Sequence, residues 1–423
     1  MIELRALCEP ARAARVVLSA VLLLALSRGV ADEGAAGEKS SPFDRLRLWG
    51  YGEIYYTRPT RRPQDSQADL ARAVFGIGYA FSDGTTFDSE YEVEHAVSSA
   101  SDVGEFEVEQ FYVEHEFAPV AVLRGGLFLM PFGILNEHHE PTNFYGVQRN
   151  FVETLIIPST WREGGLELSG HTELGLSFAA GITTGFDLSK WSFSSTYPPY
   201  HSALGLEDSD SAPLQATHQE LALANAEHLA VHLAANYQGL PGLLVGGAVF
   251  YGGAVKVPLP AGVANPAPEV ALWEGHVRGD LFGFDLSAVY AQGSISNTAA
   301  ANAANPGSPN PIPAGFYGAF AQAAYAKGFG TRACRLAPFL RVERYDMGSS
   351  YQGTQGPLIP SGLVPLSPAP GDTGTWPRGH DWVSTVGANL FVGEDVVVKI
   401  DYQSFSTNAD FRRFDLGLGL SFD

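Results

Sequence analysis

The sequence predicts an all-β chain: a transmembrane antiparallel β-barrel of about sixteen strands, with its third long loop folded into the lumen. Three observations lead there. Apolar residues recur at every second position in segment after segment. The connections between those segments alternate, short then long. Charged side chains make up only 17% of the 423 residues and the mean hydropathy is -0.01, yet just one stretch could pass for a membrane helix.

That stretch is "VVLSAVLLLALS", residues 16–27, preceded by Arg5, Arg12 and Arg15 and followed by the small residues Gly29 and Ala31. A basic start, a short apolar run and a small-residue cleavage site read as an export leader over residues 1–31. Residues 32–44 read as a flexible N-terminus and 45–423 as the barrel. The leader holds four Arg and two Glu, so 22 basic and 44 acidic residues remain, a net charge of −22. That sign argues against a nucleic-acid partner, whose phosphates call for a basic patch. Cys8 leaves with the leader; Cys334 alone can form no disulfide within the chain.

The strand reading is clearest in "TTFDSEYEVEHAV", 85–97. Phe87, Ser89, Tyr91, Val93 and His95 fall on one face, and Asp88, Glu90, Glu92 and Glu94 on the other. In "RFDLGLGLSFD" the apolar face is Phe414, Leu416, Leu418, Leu420 and Phe422. Read this way, strands fall near 45–57, 68–82, 85–97, 104–117, 120–130, 161–169, 172–184, 227–238, 243–252, 270–279, 282–293, 315–327, 335–346, 381–392, 395–405 and 411–422. Turns such as "SDGT", "GLPG" and "GE" alternate with loops that include the proline-rich 297–313 and 356–374. A soluble β-sandwich is the competing architecture. So many apolar outward faces would be hard to keep in solution, and in lipid only a closed barrel leaves no unpaired edge.

If the apolar faces meet lipid, Asp88, Glu90, Glu92 and Glu94 line the lumen. So do Glu105, Glu107 and Glu109, provided a β-bulge at Gln110 corrects the phase before Glu114 and Glu116. Like charges facing each other across strands repel, which suggests that water reaches this acidic wall. The same phase rule turns Arg47, Arg341, Lys399 and Arg413 inward, with Glu343 and Asp401 beside them. The expected lumen therefore has an acidic wall on the third and fourth strands and a more basic one on the thirteenth to sixteenth and the first.

The third long loop, 131–160, is too apolar and aromatic for an exposed tip: Phe132, Ile134, Leu135, Phe144, Tyr145, Phe151, Leu155, Ile156 and Ile157. It should pack against the inner wall and narrow the lumen. Its run Glu137-His138-His139-Glu140 looks like metal chemistry, but adjacent histidines lack the i, i+4 spacing of a helical zinc motif and no cysteine pair accompanies them. The run reads better as polar constriction or anchoring groups. Glu137, His138, His139, Glu140, Arg149, Glu153, Arg162 and Glu163 are the constriction candidates. No metal, cofactor or catalytic residue is expected: the chain has no G-x-S-x-G elbow. "GAAGEKS" (34–40) is a poor phosphate loop, and 32–44 leaves no room for the plug domain of a siderophore-type transporter.

"GLFLMPFGILNEHHEPTNFYGVQRNFVETLIIPSTWREGG", 126–165, resembles the loop segment of bacterial outer-membrane porins related to the phosphate-selective porins. The resemblance extends more weakly over 45–422. It implies a sixteen-stranded, trimeric diffusion channel in the outer membrane whose third loop forms the constriction and whose partners are membrane lipid and small hydrophilic solutes and ions. Two departures stand out. Phosphate-selective members line their channels with bases, whereas this chain has five lysines and acidic lumen faces. Members of the class commonly end on an aromatic residue, whereas here Phe422 is followed by Asp423. The acidic wall implies cation preference. An anion site built from Arg149, Arg162, Arg341 and Arg413, or a barrel that conducts nothing, are the alternatives.

Overall fold

A computed structural model describes residues 42–97, 104–195, 210–328, 334–357 and 379–423. The leader expected over 1–31 lies outside the described residues. Sixteen antiparallel strands close on themselves. They are β1 (Leu46–Pro59), β2 (Gln67–Ser82), β3 (Thr85–Glu94), β4 (Glu105–Ala118), β5 (Ala121–Leu129), β6 (Arg162–His171), β7 (Leu176–Thr184), β8 (Leu229–Leu240), β9 (Leu243–Gly253), β10 (Glu269–Leu281), β11 (Phe284–Ile295), β12 (Pro313–Tyr325, resuming at Lys327–Gly328), β13 (Cys334–Tyr351), β14 (His380–Val392), β15 (Val396–Phe405) and β16 (Arg413–Phe422). Each strand pairs with its sequence neighbours, and β1 closes the ring on β16 from Gly50↔Phe422 to Pro59↔Arg413. No edge is left to lipid.

The alternation legible in the sequence sets this architecture. Side chains of period 2 split into an outer apolar set and an inner polar set. Phe75, Phe106, Val249, Trp382, Val386 and Leu418 are exposed outward, while Asp88, Glu109, Glu274, Arg341, Lys399 and Asp415 are buried inside. Such a distribution is the inverse of a soluble domain. Aromatic side chains gather near the strand ends, with Phe81, Phe117, Tyr237, Phe282 and Phe284 at the short-turn rim and Phe106, Tyr251, Trp273 and Trp382 toward the long-loop rim. These are the positions of interfacial girdles.

Two local irregularities keep the phase right. On β4 the partner of Glu90 is Gln110 and the partner of Tyr91 is Val108, so Glu109 is the extra residue of a bulge. Phe106 and Val108 before it, and Phe111 and Val113 after it, all point outward; the phase slip read from the sequence is this bulge. A second bulge shifts β1 against β2 between Glu53 and Ile54. Strand ends match the sequence reading to a few residues; the largest differences are at β3, β7, which starts at Leu176 rather than 172, and β13. β3 stops at Glu94 because His95 takes a left-handed φ of 48°, its Nδ1 lying 2.6 Å from Asp69 Oδ2. β13 runs on to Tyr351, past the expected end near 346.

Leu418 sits mid-strand, between outward-facing Ile54 and Val398. Leu418→Arg is expected to cost about 2–4 kcal/mol of folding free energy in bilayers, as for a base at mid-membrane depth. Urea titration of the reconstituted protein measures it, and a loss under about 0.5 kcal/mol would move this face out of the lipid.

Candidate functional site

Loop 3, residues 130–161, leaves β5 and turns inward at once. Asn136 clamps its two legs: Nδ2 donates to Met130 O (2.7 Å) and Trp161 O (2.9 Å), and Oδ1 accepts from Trp161 N (2.7 Å). Gly133 has a φ of +71°, and a Cβ there would lie 2.2 Å from Glu153 Oε1. That close approach lets Glu153 accept from the amides of Ile134 (2.5 Å) and Leu135 (2.8 Å), and from Asn150 Nδ2 (2.6 Å). Burial raises the Glu153 carboxyl above its usual range, against these hydrogen bonds. Glu153, expected at the constriction, is therefore a strut inside the loop.

The wall of β13–β15 then binds the loop's backbone. Arg341 donates to the carbonyls of Tyr145 (3.1 Å) and Gln148 (3.2 Å) while pairing with Glu343 at 2.8 Å. Glu343 accepts from Phe151 N (2.7 Å), Asp401 from Val147 N (2.6 Å) and Asn389 from Gly146 N (3.1 Å); Asn389 Nδ2 donates to Phe144 O (3.0 Å). Lys399 lies 3.3 Å from the centre of the Phe144 ring, a cation–π contact. Arg413 pairs with Asp415 at 3.3 Å.

These contacts correct the expected basic wall. Arg341, Lys399 and Arg413 do face inward, but each is buried against an acid or the loop. Arg47, on β1, instead reaches toward β3, 2.6 Å from Asp88, with its side chain exposed at the short-turn mouth. The reading placed Glu343 and Asp401 beside these bases, but it did not foresee that the acids and the loop backbone would engage them.

The acidic residues of β3 and β4 run up the wall opposite. Asp88 meets Arg47, and Glu90 accepts from Trp49 Nε1 (2.5 Å) and Gln110 Nε2 (2.5 Å). Glu92 and Glu109 are buried, whereas Glu94 and Glu105 pair at the long-loop end. Glu107 and Glu220 both contact Arg162, the latter at 2.8 Å. Asp88, Glu90, Glu92 and Glu109 are thus covered by side chains, whereas Glu105 is exposed at the long-loop end. Arg72 pairs with Glu53 at 2.8 Å beside it. Loop 3 touches this wall through His139. Its Nδ1 donates to Asn136 O (2.9 Å), and its Nε2 lies 2.7 Å from the Tyr51 hydroxyl and 3.4 Å from Glu109.

The run Glu137-His138-His139-Glu140 splits accordingly. His139 is buried, Glu137 and His138 are exposed, and Glu140 accepts from Asn143 Nδ2 at 2.6 Å. Among the described residues no three His, Cys, Asp or Glu side chains are placed to hold a metal. Arg149 Nη1 donates to Thr160 Oγ1 (3.1 Å); Glu163 is fully buried and accepts from Trp161 Nε1 (3.2 Å) and from Thr184.

On the β7–β14 side, toward the long loops, the interior is apolar. Phe151, Val152, Leu155 and Ile156 of loop 3 join Trp161, Phe186, Trp191, Phe250, Leu272 and Phe316 in one buried cluster. Trp161 packs on Phe250 and Phe186 at 5.1 and 5.6 Å between ring centres. Polar side chains are concentrated on β15–β16 and β1–β6, and on β13–β14 below the apolar cluster.

With this geometry in view, known proteins can be set beside it. The barrel aligns with OmpF of Salmonella typhi, solved in complex with daunomycin, with a TM-score of 0.53 at 15% identity, over 89% of this chain and 97% of that one. The fold is the porin barrel. A mutant porin of Rh. blastica aligns with a TM-score of 0.46 at 10% identity, over 89% of this chain and 100% of that one. No family model matches. An uncharacterized protein of Aquifex aeolicus is 39% identical over 154 residues, 36% of this chain; the chain spans about a third (35%) of that curated relative.

Sequence reasoning missed Tyr51, Glu53, Arg72, Asn136 and Asn389. For Tyr51 and Glu53 a signal existed: they share the phase of Arg47 on β1. The asparagines carry none, since one amide among polar residues looks like any other.

Two outcomes follow. Arg341→Leu leaves buried loop carbonyls and Glu343 without their donor, at a cost of about 3–5 kcal/mol. Hydrogen exchange should quicken at Gly146, Val147 and Phe151; unchanged protection there would show that the wall does not hold the loop. Burial, then Arg149 and Arg72, push the His139 imidazole down to about 3. A depressed folded pKa means that the unfolded chain binds the proton first, so this stability is present above the unfolded value of about 6.5 and is lost as pH falls, by about 1.4 kcal/mol per unit. Between pH 6.5 and 4, His139→Gln should flatten the stability profile relative to wild type; parallel profiles would refute the buried neutral imidazole.

Proposed function

We propose that this chain is an outer-membrane porin, a channel for passive diffusion of small hydrophilic solutes and ions with a lean toward cations. The observation that carries the reading is the closed sixteen-strand barrel, apolar outside and polar inside, with loop 3 fastened across its lumen. Diffusion through such a barrel is decided by width and fixed charge at the narrowing. The polar lane between loop 3 and β1–β6 holds Glu53, Glu92, Glu107 and Glu109 against Arg72, Arg149 and Arg162. Asp88, Glu90, Glu114 and Glu137 add acid toward the short-turn mouth. Bound acids outnumber bases, which raises the local concentration of cations.

Anion or phosphate selectivity has less support. Arg341 and Arg413 are engaged by the loop and by acids, and Arg162 by Glu107 and Glu220. A homotrimer belongs to the reading. At mid-height on the outer face, Ala235, Gly247 and Gly275 lie side by side on β8–β10, and Ala288 beside Ala321 on β11–β12; small side chains there let barrels approach. One observation favours a non-conducting barrel: the apolar packing of loop 3 against the β7–β14 wall.

The deciding measurement is the reversal potential of purified protein in planar bilayers under a potassium chloride gradient, with phosphate titrated afterwards. Cation-selective steps indifferent to phosphate are expected, and the double variant Glu92→Gln/Glu107→Gln should move the potential toward zero. Anion selectivity with phosphate block would establish the alternative. Folded protein without conductance would leave only a structural barrel.

A further inference from the structure

On the short-turn side of loop 3 the lumen widens into a cavity of about 960 Å³. Leu240 and Leu244 lie on one side, Tyr145 and His138 of loop 3 on another, and the charged lining is Arg278, Arg335, Asp280 and Asp285. Cavities of roughly 300–1,000 Å³ with an apolar lining and few polar groups suit small organic molecules.

The charges in this cavity are unequal in availability. Asp285 is engaged: Arg278 donates to it through Nε (3.0 Å) and Nη2 (2.7 Å), and the Tyr145 hydroxyl at 3.1 Å. Asp280 Oδ1 accepts from the turn amide of Gly283 at 3.2 Å. Arg335 is different. Its guanidinium lies over the Phe391 ring, 4.4 Å from the centroid, and no carboxylate pairs with it among the described residues. A guanidinium held by its face keeps its in-plane N–H groups free, and that fork matches a planar carboxylate. The ring of Tyr145, stacked near Phe339 at 5.9 Å and edge-on to Phe391 at 6.4 Å, continues the aromatic surface.

We propose that this vestibule is a subsite for small organic carboxylates with an apolar or aromatic body. The carboxylate sits on Arg335 and the body against Tyr145, Leu240 and Leu244. The inference rests on the chain being a diffusion channel and names one class of solute it handles. It does not oppose the cation lean: fixed acids act on salt ions over several ångströms, whereas Arg335 acts at contact.

The test is calorimetric titration of the full folded protein in detergent with benzoate, benzamide and acetate. Benzoate should bind, and Arg335→Gln should weaken it about tenfold, the usual scale for a charged hydrogen-bonded contact. Benzamide, which lacks the charge, and acetate, which lacks the body, should each bind more weakly than benzoate. Arg45→Gln, at the outer rim of the same mouth, should leave benzoate unchanged. Heat modifiability on gels verifies that each variant is folded. Equal benzoate affinity in Arg335→Gln, or acetate binding as tight as benzoate, would overturn the subsite. Conductance in bilayers without benzoate binding would defeat the subsite alone; Arg335-dependent binding without conductance would keep the subsite and defeat the channel.

Discussion

A loop that turns into a barrel takes its backbone N–H and C=O groups away from the strand ladder and away from bulk water. Each needs a partner, or the fold loses the full desolvation cost of a buried polar group. Residues 144–151 meet that demand with side chains of the wall. Asn389, Asp401 and Glu343 accept from Gly146, Val147 and Phe151, and Arg341 donates to the carbonyls between them. The inner faces of β13–β15 act as a template for an irregular segment, bent over 143–148 with Gly146 at a φ of +87°. Charged residues inside a membrane barrel are here largely structural, because they replace the hydrogen bonds a strand neighbour would have supplied.

The position of loop 3 sets what remains of the lumen. Once residues 144–151 are fixed to β13–β15, the turn at Val152–Ile156 is pressed onto the β12 wall. There a Cβ on Gly318 would come within 2.9 Å of Ile156 and 3.1 Å of Val152. Apolar packing then fills that side. The other leg reaches back through His139 to Tyr51 and Glu109, fixing the distance between loop and acidic wall. One anchored loop thereby divides the interior into an apolar side that gives rigidity and a polar side available to solute.

The barrel was legible in the sequence because both of its determinants are local. Alternation within a strand decides which face meets lipid, and turn chemistry decides where strands reverse. Even the bulge on β4 showed, as a slip between Val108 and Phe111. The site was legible only in part. The direction of each side chain followed from phase, so Arg341, Lys399, Arg413 and the acids of β3 and β4 were placed on the inner face. Their roles depended on which strand lies across the lumen and on what loop 3 brings near. Arg47 shows the limit: its phase is right, but it reaches across β2 to Asp88 on β3.

The same reasoning bears on the Glu-His-His-Glu run. Adjacent residues in an irregular loop point in different directions, so four potential ligands in sequence are not four ligands in space. His139 turns into the wall and Glu140 toward Asn143, while Glu137 and His138 face the lumen. A buried imidazole hydrogen-bonded on both nitrogens already has its full complement of partners in the neutral form. It orients the loop by geometry, much as Asn136 does from within. Glu137 and His138 are the exposed members of the run. They line different cavities that adjoin at β8: Glu137 the small one with Arg124 and Glu167, and His138 the vestibule with Arg335. A single loop tip therefore presents an acid to one cavity and an imidazole to its neighbour, and in the channel proposed above a solute would meet different groups on the two sides of that tip.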